Sequence, residues 1–539
     1  MKKNLIQMLA VLAALLLVLA ACGDSDDSAD STSETTEIGP PDDRDSESRS
    51  GRSEATSRNT TSTAASGSTL TTIATADTTE AADTADEAAS EVEVEVGDFE
   101  RTSRDSTSTF GLDVDTASLS ITRQWIDSGQ LPPADMVRVE EFVNSFDQDY
   151  DAPSRDTFAI YADGAPHDLI DDNTIVLRIG IKGEEVSARR RADANLTFVI
   201  DVSGSMESDH KLDIVKDSLH VLIDNLDRDD RIAIVVYDDR AWVHLDPTFV
   251  DDEETIHDAI DDLTTGGSTN AEAGLRLGYE LARDTFDEGL INQVVFASDG
   301  VANVGETDPD GILAEISEDA GRGIQMLAIG VGFGQFNDDL LEHIADAGNG
   351  KYAYIDTVEE ARRLFDDQLL STLVTVALDA KIQVDFDAEV VRSWRLIGFE
   401  NREMSDREFD NEGTDAGEIG AGHSVTALYE VDLVRGADDR DELGTVTLRW
   451  IDPDTLDSHE LKGVVRVDVL SERLGSASTH LRWDIAVATA AELLRGSPWA
   501  DHVSPREVLD ELDAVANDLD SDAAYDFSDM FAEAIDLGL

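Results

Sequence analysis

The sequence predicts an α/β protein in which a doubly wound, mostly parallel sheet is inserted in or flanked by an antiparallel β-sandwich, with a C-terminal helical segment. Three observations carry this. Between residues 193 and 372, the apolar runs LTFVID, RIAIVVYD, NQVVFASD, IQMLAIGVG and KYAYID alternate with amphipathic stretches. Buried strands separated by helices indicate a parallel sheet covered on both faces. After Leu373 the runs VALDAKIQVDF, HSVTALYEVDLV, GTVTLRWID and LKGVVRVDVL are separated by turn signals, the pattern of an antiparallel sandwich. From residue 474 the texture is helical, as in LRWDIAVATAAELLRGS and PREVLDELDAVANDL.

Taken in order, residues 1–21 have two lysines and an apolar core from Leu5 to Ala21, with small residues before Cys22. Such a core is at the short limit for spanning a bilayer and indicates an export signal. Leu19-Ala20-Ala21-Cys22 resembles the lipobox of bacterial lipoproteins, which implies cleavage before Cys22 and lipid on its sulfur. Cys22 is the only cysteine, so no intrachain disulfide forms. Two or more acyl chains anchor a protein stably to a membrane.

Residues 22–103 are Ser, Thr, Asp, Glu and Ala with few large apolar side chains. They cannot bury enough surface to offset the entropy of ordering and are expected to be a disordered tether. A flexible coil of about 80 residues spans on the order of 50 Å.

Residues 104–192 form an N-terminal module. Met136, Val139, Phe142, Val143 and Phe146 fall on one helical face, and Ile175, Leu177, Ile179 and Ile181 alternate as in a strand. In the 193–372 domain, Leu212, Val215, Leu219, Leu222 and Leu226 share one helical stripe, and AWVHLDPTFV follows a tight DDR turn as an antiparallel edge strand. Residues 373–473 are assigned to the sandwich and 474–539 to the helical region.

The chain of 539 residues carries 117 acidic against 41 basic side chains, a formal net charge of -76. A polyanionic partner needs Lys/Arg patches, so nucleic acid is excluded as a ligand. So acidic a surface repels itself at low salt and suits a saline habitat.

Three strand ends of the α/β domain carry oxygen-bearing side chains. DVSGS presents Asp201, Ser203 and Ser205; the loop LTTGGSTNAEAGL places Thr269 before a helix; VVFASDG ends at Asp299. Ligands in open α/β sheets collect at the carboxyl ends of the strands. Two carboxylates and three hydroxyls are an all-oxygen set of the kind hard divalent cations prefer, and neutral hydroxyls leave such an ion electron-poor. The competing reading of the serines is that Ser205 or a neighbour caps the following helix.

On these residues, 193–372 resembles a von Willebrand factor type A domain, whose metal-ion-dependent adhesion site (MIDAS) is built from D-x-S-x-S, a downstream Thr and a further Asp. All five positions match. The resemblance implies Mg²⁺ or Mn²⁺ held by Asp201, Ser203, Ser205, Thr269 and Asp299, and a partner protein whose Asp or Glu completes the coordination. STFGLDVDTASLS, LPPADMVRVEEFVNSF, AGHSVTALYE and the C-terminal segment are similar to bacterial lipoproteins with this domain between two flanking regions.

The expectation is a lipid-anchored, extracytoplasmic binding protein of the cell envelope that performs no turnover. Its rivals are an envelope scaffold with a vestigial site and a metal-dependent hydrolase. Asp113 and Asp115 in GLDVDTAS, and the DPDTLDSHE loop at 452–460, are expected to be structural. The ten histidines lie too far apart in sequence for a local zinc motif.

Overall fold

The computed structural model describes residues 35–37, 39 and 96–539, except 113–114, 168, 171–173, 188–190, 300–308, 333–337, 412–413 and 415. The export signal, Cys22 and most of the stretch read as a tether lie outside the described residues.

The parallel sheet has the strand order Lys351–Ile355, Ile324–Val331, Ile291–Ser298, Ala194–Asp201, Arg231–Tyr237, Ala241–Phe249. Every neighbouring pair is parallel except the last, so the run after the DDR turn is the antiparallel edge strand its sequence predicts. Ala194–Asp201 is buried along its whole length. Helices cover both faces. Leu212, Val215, Leu219 and Leu222 pack under Phe198 and Ile234, while Leu275, Tyr279 and Leu341 pack on Val199, Val235 and Phe296. Alternate residues of each strand therefore enter separate cores, and this explains the continuous apolar runs.

The antiparallel part is two stacked sheets. One has the order Glu100–Arg101, Val391–Ile397, Ser424–Leu433, Ile175–Gly183, Phe158–Pro166. Ser424 to Val431 pairs in register with Lys182 to Ile175, so strands from both sides of the parallel-sheet domain share one sheet, and that domain is inserted between them. The other sheet is built on Ser458–Arg466, Glu442–Ile451 and Thr375–Phe386, with Thr107–Gly111 paired to the last. Leu177, Ile179 and Ile181 enter the core between the sheets, against Ile382, Val384, Val446 and Leu448. The intervening Val176 faces the other way, onto Trp483, Ile485 and Phe531 of the C-terminal helices Thr479–Leu494 and Asp522–Leu537. The molecule is thus layered sheet, sheet, helices on this side.

Within the stretch read as a tether, Thr35–Glu37 pairs in parallel with Lys462, Gly463 and Val464. Glu100–Arg101 also pairs with Val391–Ile397. The disordered reading is corrected at these places: the open edge of a sheet offers unpaired backbone groups that a short polar segment can satisfy. Among the described residues no helix is long and apolar enough to cross a membrane.

Candidate metal site at the carboxyl end of the parallel sheet

From Ala194–Asp201 the chain winds first to Arg231–Tyr237 on one side and later to Ile291–Ser298 on the other. The strand order reverses between the first and the last of these, which opens a crevice at their carboxyl ends. Asp201 stands opposite Tyr237, and Ile200 stands beside Ala297, so Ser298 and Asp299 emerge next to Asp201. The sheet register alone thus brings together two carboxylates 98 positions apart in sequence.

Asp201 is fully buried and fixed by two hydrogen bonds. The Ser203 backbone N–H donates to Oδ1 at 2.8 Å, and the Ser298 hydroxyl donates to Oδ2 at 3.2 Å. The Ser203 and Ser205 hydroxyls are 3.0 Å apart. Neither caps the next helix: Lys211–Asn225 starts after His210, a left-handed residue at φ 57°, with no side-chain cap. That removes the competing reading of the serines.

Thr269 arrives by a different route. Gly266 N–H donates to Val202 carbonyl at 2.7 Å, Gly204 N–H to Gly267 carbonyl at 3.2 Å, and Asn270 N–H to Asp238 carbonyl at 2.8 Å. These bonds stitch the loop to the Asp201 turn. Gly267 has φ +79°, and a Cβ there would fall 2.8 Å from Cβ of Asp238. A side chain at this position is excluded on both counts. Asn270 then caps the helix Ala271–Thr285 by accepting Ala273 N–H at 3.1 Å. Thr269 is held half-buried at the same end of the sheet; its hydroxyl makes no hydrogen bond to Asp201.

Asp299 is also buried, and its Oδ2 accepts from Lys211 Nζ at 3.1 Å. Burial pushes the Asp201 carboxyl above its ordinary range, and the nearby negative charge of Asp299 pushes it further, against the hydrogen bonds from Ser203 and Ser298. The Tyr237 hydroxyl is buried beside Asp201 without a well-formed hydrogen bond, and burial drives its phenol far up. Two buried carboxylates therefore lie together, Asp299 bonded by the Lys211 ammonium and Asp201 by a backbone N–H and a hydroxyl.

All-oxygen donors, two adjacent buried carboxylates and a buried hydroxyl without a good partner fit a hard divalent cation. Among the described residues no group of three or more His, Cys, Asp and Glu is placed to hold a metal; this set has two carboxylates, with hydroxyls as its other donors.

Sequence reasoning missed Lys211, Ser298 and Tyr237. Lys211 left a signal: it shares helical spacing with the buried Val215 and Leu222, an odd place for a lysine. The residues read as structural behave so. Asp115 accepts from Arg402 at 3.0 Å, and Asp452 accepts Asp454 and Thr455 N–H groups at 3.0 and 2.8 Å in the turn between two strands. Asp113 lies outside the described residues. His220 and His257, distant in sequence, meet with Nδ1 atoms 2.6 Å apart.

Three family models match the chain. One described as von Willebrand factor matches 87–176, the von Willebrand factor type A domain matches 195–367, and one described as uncharacterized protein YfbK, C-terminal, matches 371–536. The uncharacterized protein YfbK of Escherichia coli is 35% identical over 425 residues, which covers 74% of this chain and 73% of that one. Inter-alpha-trypsin inhibitor heavy chain H3 of Bos taurus is 26% identical over 38% of this chain and 22% of its own length. Among solved structures, von Willebrand factor type A from Catenulispora acidiphila is 16% identical, covers 72% of this chain and 91% of that one, and has a TM-score of 0.39.

Proposed function

The chain belongs to the YfbK family of von Willebrand factor type A domain proteins, and from that premise we propose that it is a binding protein of the cell envelope. It captures a protein, or another carboxylate-bearing ligand, at the carboxyl end of its parallel sheet. Asp201, Ser203, Ser205, Thr269 and Asp299 hold Mg²⁺ or Mn²⁺ there. Bound at this point, the cation supplies an electron-poor centre that accepts an anionic oxygen from outside.

The observation that supports this most is that Asp201 and Asp299 are buried together at the switch point, where among the described residues Lys211 forms an ion pair with Asp299. Burying a surplus carboxylate is costly unless a cation joins it. The chain's own residues orient the site. Ser203 and Ser298 fix both oxygens of Asp201, and the glycine loop fixes the Thr269 backbone. Among the described residues the site offers no separate general base beyond the donors themselves, which favours binding without turnover. Lipid on Cys22 and a tether would hold the folded part outside the cytoplasm. Membrane fractionation of Cys22→Ala tests that: release into the soluble extracytoplasmic fraction is expected, and retention would contradict it.

Calorimetry with Mn²⁺ and Mg²⁺ on wild type and Asp201→Ala tests the site, followed by affinity capture from envelope extracts with and without EDTA. Heat and capture by metal-loaded wild type alone are expected. The second reading, an envelope scaffold with a vestigial site, draws on Lys211 already occupying Asp299. Absence of both heat and a thermal shift with either cation would establish it instead.

A further inference from the structure

Lys211 is the first residue of the helix Lys211–Asn225, yet its side chain does not reach solvent. It is 7% exposed, and the Asp299 side chain it bonds is 0% exposed. The stem runs past Gly332, which has φ +94°; a Cβ there would lie 2.3 Å from Cε and 2.6 Å from Cδ of the lysine. The missing side chain at Gly332 is the slot through which Lys211 reaches the crevice. The Tyr354 hydroxyl lies within hydrogen-bond distance of the Gly332 carbonyl and, at 3.0 Å, of the Gln124 side-chain amide on the N-terminal module's helix Ala117–Asp127. The slot is thus braced from two elements, and a buried lysine costs enough in desolvation that such a built passage calls for an explanation.

Building on the proposed binding site, we propose that Lys211 is a positioning and specificity-determining residue: a fixed internal cation that weakens metal binding in order to strengthen capture of an anionic ligand. Two carboxylates and one ammonium leave the site with a formal charge of −1. A divalent cation brings it to +1, and one carboxylate from a partner brings it to zero. Without Lys211 the same two carboxylates neutralise the ion by themselves, and the ion's attraction for an outside carboxylate falls. Because the ammonium is buried, salt screens its effect far less than it screens the acidic surface. The two effects have opposite signs, and a merely structural lysine would not produce that: loss of a strut for Asp299 would weaken metal and ligand together.

The test titrates Mn²⁺ into wild type, Lys211→Met and Lys211→Arg by calorimetry, then repeats each titration at rising acetate, with acetate as the carboxylate probe. Lys211→Met is expected to bind Mn²⁺ about tenfold tighter, about 1.4 kcal/mol, and Lys211→Arg to stay close to wild type. Acetate is expected to tighten Mn²⁺ binding to wild type and to Lys211→Arg, and to leave Lys211→Met unmoved. Should the methionine variant melt early, Lys211→Gln, neutral but able to hydrogen-bond Asp299, takes its place. Unchanged or weaker Mn²⁺ binding in the neutral variants overturns the role of Lys211 while leaving the metal site intact. No heat with wild type overturns the metal site itself, and this proposal with it.

Discussion

Two of the regions in which this molecule buries carboxylates treat them in different ways. At the seam between the five-stranded sheet and the C-terminal helices, Arg178 bonds Asp163 and Asp484 at 2.8 Å each, and Gln148 at 2.9 Å. Beside it, Arg395 bonds Glu430 at 2.7 Å and Glu492 at 3.2 Å, while Arg495 bonds Glu492 at 2.7 Å and Glu400 at 3.1 Å. Each of these carboxylates faces a planar guanidinium whose donors match its oxygens. At the carboxyl end of the parallel sheet, Lys211 bonds Asp299, and Asp201 accepts from the Ser203 N–H and the Ser298 hydroxyl. The difference is in the donors and not in the charge count: each seam carboxylate is bonded directly by a guanidinium, whereas Asp201 is bonded by a backbone N–H and a hydroxyl. Under the proposed function Asp201 keeps an affinity for a cation from outside.

Four experiments would break or sharpen that comparison. The largest effect is expected at the seam. Arg178→Met leaves Asp163 and Asp484 buried without their partner, and should lower unfolding free energy by about 3–5 kcal/mol while Mn²⁺ affinity is unchanged; chemical denaturation and calorimetry on one sample check both halves.

Next is pH. Burial alone would raise the Glu430 carboxyl, but His167 and Arg395 overcome it and hold it at about 2. Its folded value lies below the unfolded one, so the stabilisation is complete above the ordinary range near 4.5 and disappears as pH falls toward 2. The loss is on the order of 3 kcal/mol. Denaturant midpoints between pH 6 and pH 3 should fall for wild type and fall less for Glu430→Gln.

At the receptor end the costs reverse. Asp201→Ala should lose Mn²⁺ binding by about 100-fold or more while its metal-free melting temperature holds or rises, because a buried and poorly compensated carboxylate is gone. A matching drop in metal-free stability would mean that this carboxylate serves the fold and that the contrast is false. The smallest effect is expected at Thr269→Ala, about tenfold in Mn²⁺ affinity, since a neutral hydroxyl is lost and the loop's backbone bonds to Val202 and Gly204 remain.

How legible all this was depends on the range of the interaction concerned. The strand Ala194–Asp201 announces itself because the mostly apolar run Leu196 to Ile200 must be covered on both faces. Asp201, Ser203 and Ser205 are legible together because they are neighbours in sequence. Thr269 and Asp299 could be chosen because each stands where a strand or loop must end. Alternating runs on either side of the α/β domain marked the strands but left open whether it is inserted in or flanked by the sandwich, and Ser424–Leu433 lying against Ile175–Gly183 shows the insertion directly. The partners of buried charges left much weaker traces. Nothing near Arg178 in sequence points to Asp484, 306 residues away, and Thr35–Glu37 has no apolar pattern to mark it as a strand.

The sequence by itself determined which segments become strands and helices and which oxygen-bearing residues stand at the strand ends, because periodicity and turn chemistry act over a few residues. Only the tertiary structure decided which carboxylates are bonded by guanidinium groups and which by hydroxyl and backbone donors. It also decided that a lysine passes Gly332 to reach Asp299. Charge balance in a low-dielectric interior is set by distances across space, and those exist only once the layers have packed.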